Sequence, residues 1–145
     1  TRPTRSDSAL QGGDTPSPPE PVGRVLERRA LVCGGRDFAD YAFVERVLDY
    51  YSPTVVIHGC ARGADSLADQ WAFAHLIPVE RYPADWRKHG KAAGPIRNAE
   101  MLHEGKPDVV IAFPGGVGTA HMVKIARAKG VQVLQPKPLR QGGAA

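Results

Sequence analysis

The feature that most constrains the fold of this chain is the alternation of short apolar runs with helical patterns. Five such runs, rich in Val and Ile, are RALVCG (29–34), TVVIHG (54–59), IPVERYP (77–83), DVVIAFP (108–114) and VQVLQP (131–136). Runs this short and this apolar are typical of strands buried on both faces. The order βαβαβαβαβ predicts an α/β fold: a parallel sheet with helices on both faces and right-handed crossovers.

The segments between the runs place apolar side chains on one helical face. These are Phe43, Val44, Val47, Leu48 and Tyr51 in the first helix, and Leu67, Ala68, Trp71, Ala72 and His75 in the second. Asp40 is a predicted N-cap of the first helix. The third helix has Pro95 in its first turn and is predicted to stop at Gly105, and the fourth is predicted to end at Gly130.

Composition divides the chain into one predicted domain and two tails. Residues 1–27 are rich in Gly, Pro and Ser without apolar periodicity, so they are predicted to be disordered. Residues 137–145 are predicted to form a flexible tail for the same reason. Residues 28–136 then form a single domain, which is long enough to bury one hydrophobic core.

Charge indicates the class of partner, and cysteine content indicates the compartment. The formal charge of +4 and the pI of about 9.3 favour an anionic partner, although Arg2, Arg5, Lys137 and Arg140 lie in the predicted tails. Cys33 and Cys60 are far apart in the sequence, which fits a reducing compartment. There is no apolar run of roughly 18 residues and no apolar signal segment, so we expect a cytoplasmic protein with no membrane partner.

Glycine-rich or polar segments follow four of the predicted strands. In an open α/β sheet, ligands bind beyond the carboxyl ends of the strands, where the strand order reverses. Three of these segments carry glycines followed by a helix and the fourth is the longest loop: CGGRDF, HGCARGAD, FPGGVGTAHM and YPADWRKHGKAAGPIRN. Their convergence on one edge predicts a binding site there.

The segment PGGVGT predicts an anion site. Gly115, Gly116 and Gly118 permit close backbone approach, Thr119 adds a hydroxyl, and the following helix presents free N–H groups. The alternative is a tight turn with nothing bound. Its spacing matches neither the dinucleotide fingerprint nor the P-loop, so it indicates neither hydride transfer nor ATP hydrolysis, and we expect no cofactor.

The turn after the first strand adds two charged side chains. Gly34 and Gly35 open the turn and Arg36 and Asp37 follow. Arg36 can pair with a phosphate, and Asp37 can accept a hydrogen bond from a ribose hydroxyl. The alternative is a surface ion pair between these two side chains that caps the next helix.

The turn after the second strand has the same character. Gly59 and Gly63 flank Arg62, and Asp65 lies at the start of the next helix. Asp65 is either an N-cap or a ligand contact.

The long loop is basic and carries one tryptophan. Trp86 either stacks on a base or folds onto the core. Arg97 lies in the first turn of the third helix and is predicted to point toward the same edge as the glycine turns. The basic or titratable groups of the segment are Arg87, Lys88, His89, Lys91 and Arg97.

Metal binding and covalent acyl chemistry are not indicated. A zinc set would have to be drawn from His58, His89, His121, Cys33 and Cys60, and no two of these have the paired spacing of structural zinc sites. No serine or cysteine lies in a nucleophile-elbow sequence. We therefore expect no metal.

Four motifs in order give the chain a family resemblance. GGRDF, HGCARGAD, HGKAAGPIRNAEM and DVVIAFPGGVGTAHM resemble the SLOG superfamily, and most closely its YspA/YpsA-related branch. Other branches are the DNA-processing Smf/DprA proteins and the Lonely Guy phosphoribohydrolases. The resemblance covers about residues 30–134. It implies a Rossmann-like fold with strand order 3-2-1-4-5 and a site that binds nucleotides, nucleotide-derived signals or single-stranded DNA.

The turns and the long loop, together with the resemblance, predict a set of ligand-binding residues at the strand ends. They are Gly34, Gly35, Arg36, Asp37, Gly59, Arg62, Gly63, Asp65, Lys91, Arg97, Pro114, Gly115, Gly116, Val117, Gly118 and Thr119, with Trp86 as the base-stacking candidate.

The match to the Lonely Guy enzymes is incomplete. These enzymes cleave the N-glycosidic bond of nucleoside monophosphates, and their hallmarks are a helical arginine and P-G-G-x-G-T-x-x-E. The arginine matches Arg97, but the commonly following lysine is Asn98 and the glutamate position is Met122. An oxocarbenium-like transition state needs a carboxylate. The carboxylates available from other loops are Asp37, Asp65 and Asp85, and His121 is available as an acid or base.

Three functions follow as hypotheses. The first is a sensor or binding module for a nucleotide or a nucleotide-derived phosphorylated ligand. The second is a nucleotide N-glycosidic hydrolase with Arg97, Asp65 and Asp37 as catalytic residues. The third is single-stranded nucleic-acid binding through Trp86 and the basic side chains. The resemblance also implies a homo-oligomer.

Overall fold

A computed structural model of the protein describes residues 26–138. Five strands alternate with helices, as the apolar runs predict. The strands are β1 (Arg29–Cys33), β2 (Val55–His58), β3 (Val79–Arg81), β4 (Val109–Ala112) and β5 (Gln132–Leu134). The helices are α1 (Tyr41–Tyr51), α2 (Ala64–Ala74), α3 (Trp86–His89), a 3₁₀ turn (Gly90–Ala92), α4 (Ala93–Gly105) and α5 (Val117–Ala128).

The five strands form one parallel sheet in the order β3-β2-β1-β4-β5. Strand β1 is central: Leu31 is opposite Ile57 of β2 on one side and Val110 of β4 on the other. The α/β Rossmann-like fold and the strand order 3-2-1-4-5 are therefore confirmed. The strand order reverses between β1 and β4: β2 and β3 extend the sheet on one side of β1, and β4 and β5 extend it on the other. The turns that follow β1 and β4 therefore flank one crevice.

Two apolar cores, one on each face of the sheet, explain why the strands are apolar throughout. Ala30 and Val32 face α1 and α2, whereas Leu31 and Cys33 face α4 and α5. The side chains that the two helix pairs bury against the sheet are Phe43, Val44, Leu48, Ala68 and Trp71 on the first face, and Met101, Leu102, Met122, Val123 and Ala126 on the second. The predicted apolar helical faces are confirmed in α1 and α2, except that His75 is the exposed C-cap residue of α2 and stacks on Trp71.

Local caps set the helix boundaries. The Asp40 carboxylate accepts a hydrogen bond of 3.1 Å from the Phe43 N–H, as predicted for an N-cap. The long basic loop is more ordered than the sequence indicates, because Asp85 caps α3 by accepting a 3.1 Å bond from the Lys88 N–H. Asp85 is thereby committed to helix capping.

Residues 1–25 and 139–145 lie outside the described residues, and with them most of both predicted tails. Within residues 26–138, no helix is both long enough and apolar enough to span a bilayer. The same residues contain no group of three His, Cys, Asp or Glu side chains that could hold a metal ion. A cytoplasmic location and a homo-oligomer stay predictions.

Candidate functional site

A cleft of about 590 Å³ lies at the carboxyl ends of β1 and β4, where the strand order reverses. It is bounded by the turn after β1, the start of α2, the α3–α4 segment and the first turns of α5. The polar or charged side chains that line it are Arg36, Asp65, Lys91, Arg97, Asn98, Thr119 and His121, and the larger apolar ones are Trp86, Pro95, Met101 and Val117. The basic side chains outnumber the single acidic one, so the cleft favours an anion.

Glycines let the turns beside the cleft pack closely on one another. The Gly35 N–H donates a 2.9 Å bond to the Pro114 carbonyl, and the Gly35 carbonyl accepts a 3.2 Å bond from the Ala64 N–H. A Cβ atom on Gly63, which has φ +84°, would overlap the Gly35 carbonyl oxygen and the backbone of Arg36. Gly35 and Gly63 are therefore needed for turn packing, and the Gly35 amide is already used within the protein.

The open glycines are at the beginning of α5. Gly116 is the N-cap residue of α5, and a Cβ atom added to Gly116 or Gly118 would meet no atom within 4 Å. Both residues line the cleft. The first-turn amides of a helix have no intrahelical acceptor and carry its positive dipole end. At these two positions the first turn of α5 has no Cβ atom between its backbone and the cleft.

Arg97 is held in place by two hydrogen bonds. Its Nη1 donates to the Gly59 carbonyl at 2.5 Å, and its Nε donates to the Asn98 Oδ1 at 3.1 Å. Arg97 lines the cleft, as the sequence predicts. The two bonds fix the plane of the guanidinium, so the charge is presented to a ligand from a defined position.

Asn98 is a site residue that sequence reasoning missed. Its side chain is buried, and its Nδ2 donates to the Gly118 carbonyl at 3.3 Å and to His121 Nδ1 at 3.1 Å. With its Oδ1 on Arg97, the amide joins α4 to the first turn of α5. In this contact the Asn98 amide is the donor and His121 Nδ1 is the acceptor. The sequence signal that could have identified Asn98 is its position directly after Arg97 on the same helix.

Asp65 is a buried acid at the start of α2. It is 5% exposed, and its Oδ2 accepts from the Gly59 N–H at 3.0 Å and from the Ala61 N–H at 3.2 Å. Burial raises the pKa of this carboxyl, against the lowering effect of the two backbone donors and of the nearby His58 and Arg97. The N-cap residue of α2 is Gly63 and not Asp65. Asp65 lies in the first turn of α2, holds the loop between β2 and α2 through its two hydrogen bonds, and also lines the cleft.

Trp86 lies at the cleft and not in the core. Its side chain is 49% exposed, and the Arg36 guanidinium carbon lies 5.7 Å from the ring centroid. This distance is typical of a cation–π contact. Lys91 lines the cleft from the 3₁₀ turn that follows α3. An aromatic face and two cations thus lie together at one part of the cleft.

Several predicted site residues lie away from the cleft lining. Asp37 and Arg62 are exposed and form a surface ion pair of 3.5 Å, with the Asp37 side chain 95% exposed. Met122 is 1% exposed in the core beneath α5, while its neighbour His121 faces the cleft. Pro114 and Gly115 line a separate hollow on the other side of the β4–α5 turn. Gly59 and Gly63 are not among the lining residues: Gly59 packs against the Arg97 side chain, and Gly63 against the turn after β1.

Cys33 contributes an apolar wall. Burial, with the negative charge of Asp65, raises the pKa of its thiol to about 12. At pH 8 we therefore expect Cys33 to react with iodoacetamide about a thousandfold more slowly than an ordinary thiol, since only the thiolate reacts. The rate should rise about tenfold per pH unit up to pH 11. Mass spectrometry of the Cys60→Ser variant measures this labelling rate, and labelling at the rate of free cysteine would contradict the raised pKa of Cys33.

Comparison with known proteins identifies the family. A model of the YspA, cpYpsA-related SLOG family (YAcAr) matches residues 28–89, from the residue before β1 to the end of α3. Gene 61 protein of Mycobacterium phage D29 is 42% identical to this chain over 119 residues, which cover 74% of this chain and 94% of the phage protein. With the parallel sheet and the strand order given above, these similarities establish that the chain belongs to the YspA, cpYpsA-related SLOG family.

Proposed function

We propose that the cleft binds a nucleotide or a nucleotide-derived phosphorylated ligand and that the protein acts as a sensor or binding module. The observation that carries the proposal is the unobstructed first turn of α5 beside the fixed guanidinium of Arg97. Backbone donors, a helix dipole and a guanidinium together form a phosphate site. The volume of about 590 Å³ is within the range of small-ligand pockets.

A base fits the other part of the cleft. Trp86 offers an aromatic face, and Arg36 already lies over that ring at 5.7 Å. Stacking of a base on an aromatic side chain is insensitive to sequence and is worth about 1–3 kcal/mol. A planar base that displaced Arg36 from the ring face could stack on Trp86, and Arg36 and Lys91 would then add positive charge for the phosphate. This arrangement favours a mononucleotide over an isolated phosphate.

Hydrolysis of an N-glycosidic bond is the second candidate function. The observation that favours it is the buried carboxyl of Asp65 in the same cleft as Arg97. Against it, position 122 holds a methionine buried in the core, so α5 offers no carboxylate there. Chromatography of nucleoside monophosphates incubated with the protein tests it: release of free base supports a hydrolase, and unchanged nucleotide supports the binding module.

The Gly118→Ala variant tests the proposed phosphate site. A methyl group at this position meets no protein atom within 4 Å, and alanine is the better helix former, so the free energy of unfolding should stay equal or rise by up to about 1 kcal/mol. The same methyl group would lie where the ligand approaches the α5 amides. We expect calorimetry to show at least tenfold weaker binding of the tightest-binding nucleoside monophosphate.

Ala120→Ser is the matched control for this variant. Ala120 lies on the same helix but lines the separate hollow, so the added hydroxyl should leave affinity unchanged. Equal affinities of the wild type and Gly118→Ala would show that the phosphate does not bind at this turn. A folded wild type that binds none of AMP, GMP, CMP and UMP, with cyclic nucleotides included in the panel, would reject the proposed function.

A further inference from the structure

Among the residues that the structure describes, none donates a hydrogen bond to one oxygen of the buried Asp65 carboxyl. Within residues 26–138, the donors that reach this side chain, the Gly59 and Ala61 amides, both end on Oδ2. No hydrogen bond or ion pair of the described residues reaches Oδ1. Asp65 is 5% exposed, and burial raises the pKa of its carboxyl. Leaving one oxygen of such a group without a hydrogen bond costs free energy.

The nearest cation does not supply the missing bond. Arg97 lowers the pKa of Asp65 through its charge, so the two groups are close, but its Nη1 and Nε donate to Gly59 and Asn98. Asp65 is also the single acidic side chain among those that line the cleft. The ligand group that reaches it must therefore be a hydrogen-bond donor without negative charge, because a phosphate oxygen would be repelled.

We propose that Asp65 is a specificity-determining residue whose Oδ1 accepts a hydrogen bond from a hydroxyl group of the ligand's sugar. The inference rests on the proposed function, since it assigns the sugar of the same nucleotide. It selects ribonucleotides over nucleotides that lack ribose hydroxyls. The ribose contact predicted for Asp37 is assigned instead to Asp65, because the Asp37 side chain is 95% exposed and outside the cleft lining.

The affinity ratio between a ribonucleotide and its dideoxy counterpart tests this assignment. Calorimetry with the tightest-binding nucleoside monophosphate and with its 2′,3′-dideoxy form should show about tenfold tighter binding of the ribonucleotide to the wild type, since a hydrogen bond to a charged group is lost. In Asp65→Asn, the amide oxygen still accepts from Gly59 and Ala61 while the NH₂ group replaces the acceptor. The ratio should then fall below about twofold.

Asp37→Asn is the control, because it removes a carboxylate of the neighbouring turn and should keep the tenfold ratio. Equal affinities of both nucleotides for the wild type would overturn the inference and leave the proposed function intact. Absence of binding by every nucleoside monophosphate would overturn both. If Asp65→Asn does not fold, as shown by its thermal melt, the ratios of the wild type and Asp37→Asn still decide the matter.

Discussion

The Gly63→Ala variant should lose about 4 kcal/mol of unfolding free energy, because two penalties add. Gly63 has φ +84° and ψ −130°, a conformation that side chains with a Cβ rarely adopt. The new methyl group would also overlap the Gly35 carbonyl oxygen and the backbone of Arg36, which cannot rotate away as a side-chain tip can. Urea unfolding followed by circular dichroism measures the loss.

Gly130→Ala is the matched control. Gly130 also has φ +84°, but a Cβ atom there would meet nothing within 4 Å. This variant should lose only the conformational part, about 1 kcal/mol. The difference between the two variants isolates the contact between the turns after β1 and β2. Equal losses would show that these turns do not pack as described.

The Arg97→Ala variant should bind phosphorylated ligands about a hundredfold more weakly, because a hydrogen-bonded guanidinium beside the α5 amides is lost. The unphosphorylated nucleoside should lose much less affinity. Calorimetry with the tightest-binding nucleoside monophosphate and with its nucleoside measures both changes.

Arg87→Ala is the charge-matched control, because Arg87 is exposed on α3 and is not among the residues that line the cleft. It should keep wild-type affinity. A similar loss in both variants would indicate general electrostatic attraction, whereas an equal loss for nucleotide and nucleoside in Arg97→Ala would indicate a collapsed loop. The Arg97 side chain also supports the Gly59 carbonyl, so thermal melting of the variant accompanies the binding data.

The fold could be predicted from the sequence because each strand is short, apolar and followed by a polar turn. Leu31 and Val32 point to opposite faces of the sheet, and each face has its own helix layer, so both had to be apolar. The Asp40 N-cap and the apolar face of α1 were predicted because they depend on neighbours within four residues.

The site was less predictable, because similar residues have different surroundings. Gly35 and Gly118 look equivalent in the sequence, yet a Cβ on Gly35 would come within 3.1 Å of the Gly115 Cα while one on Gly118 would meet nothing within 4 Å. Asp37 and Asp65 also follow glycine-rich strand ends, and one is exposed while the other is buried. These differences depend on residues distant in the sequence.

The sequence by itself determined the parallel α/β fold, the edge of the sheet at which the cleft lies and the family, because periodicity, turn chemistry and ordered motifs are local properties. Tertiary structure decided which groups face the cleft. It buried Met122 and turned His121 outward, it brought Asn98 against Gly118, and it left one oxygen of Asp65 without a donor from residues 26–138. Such outcomes depend on how α4, α5 and the strand-end turns pack, and the positions of these elements are set by the whole core.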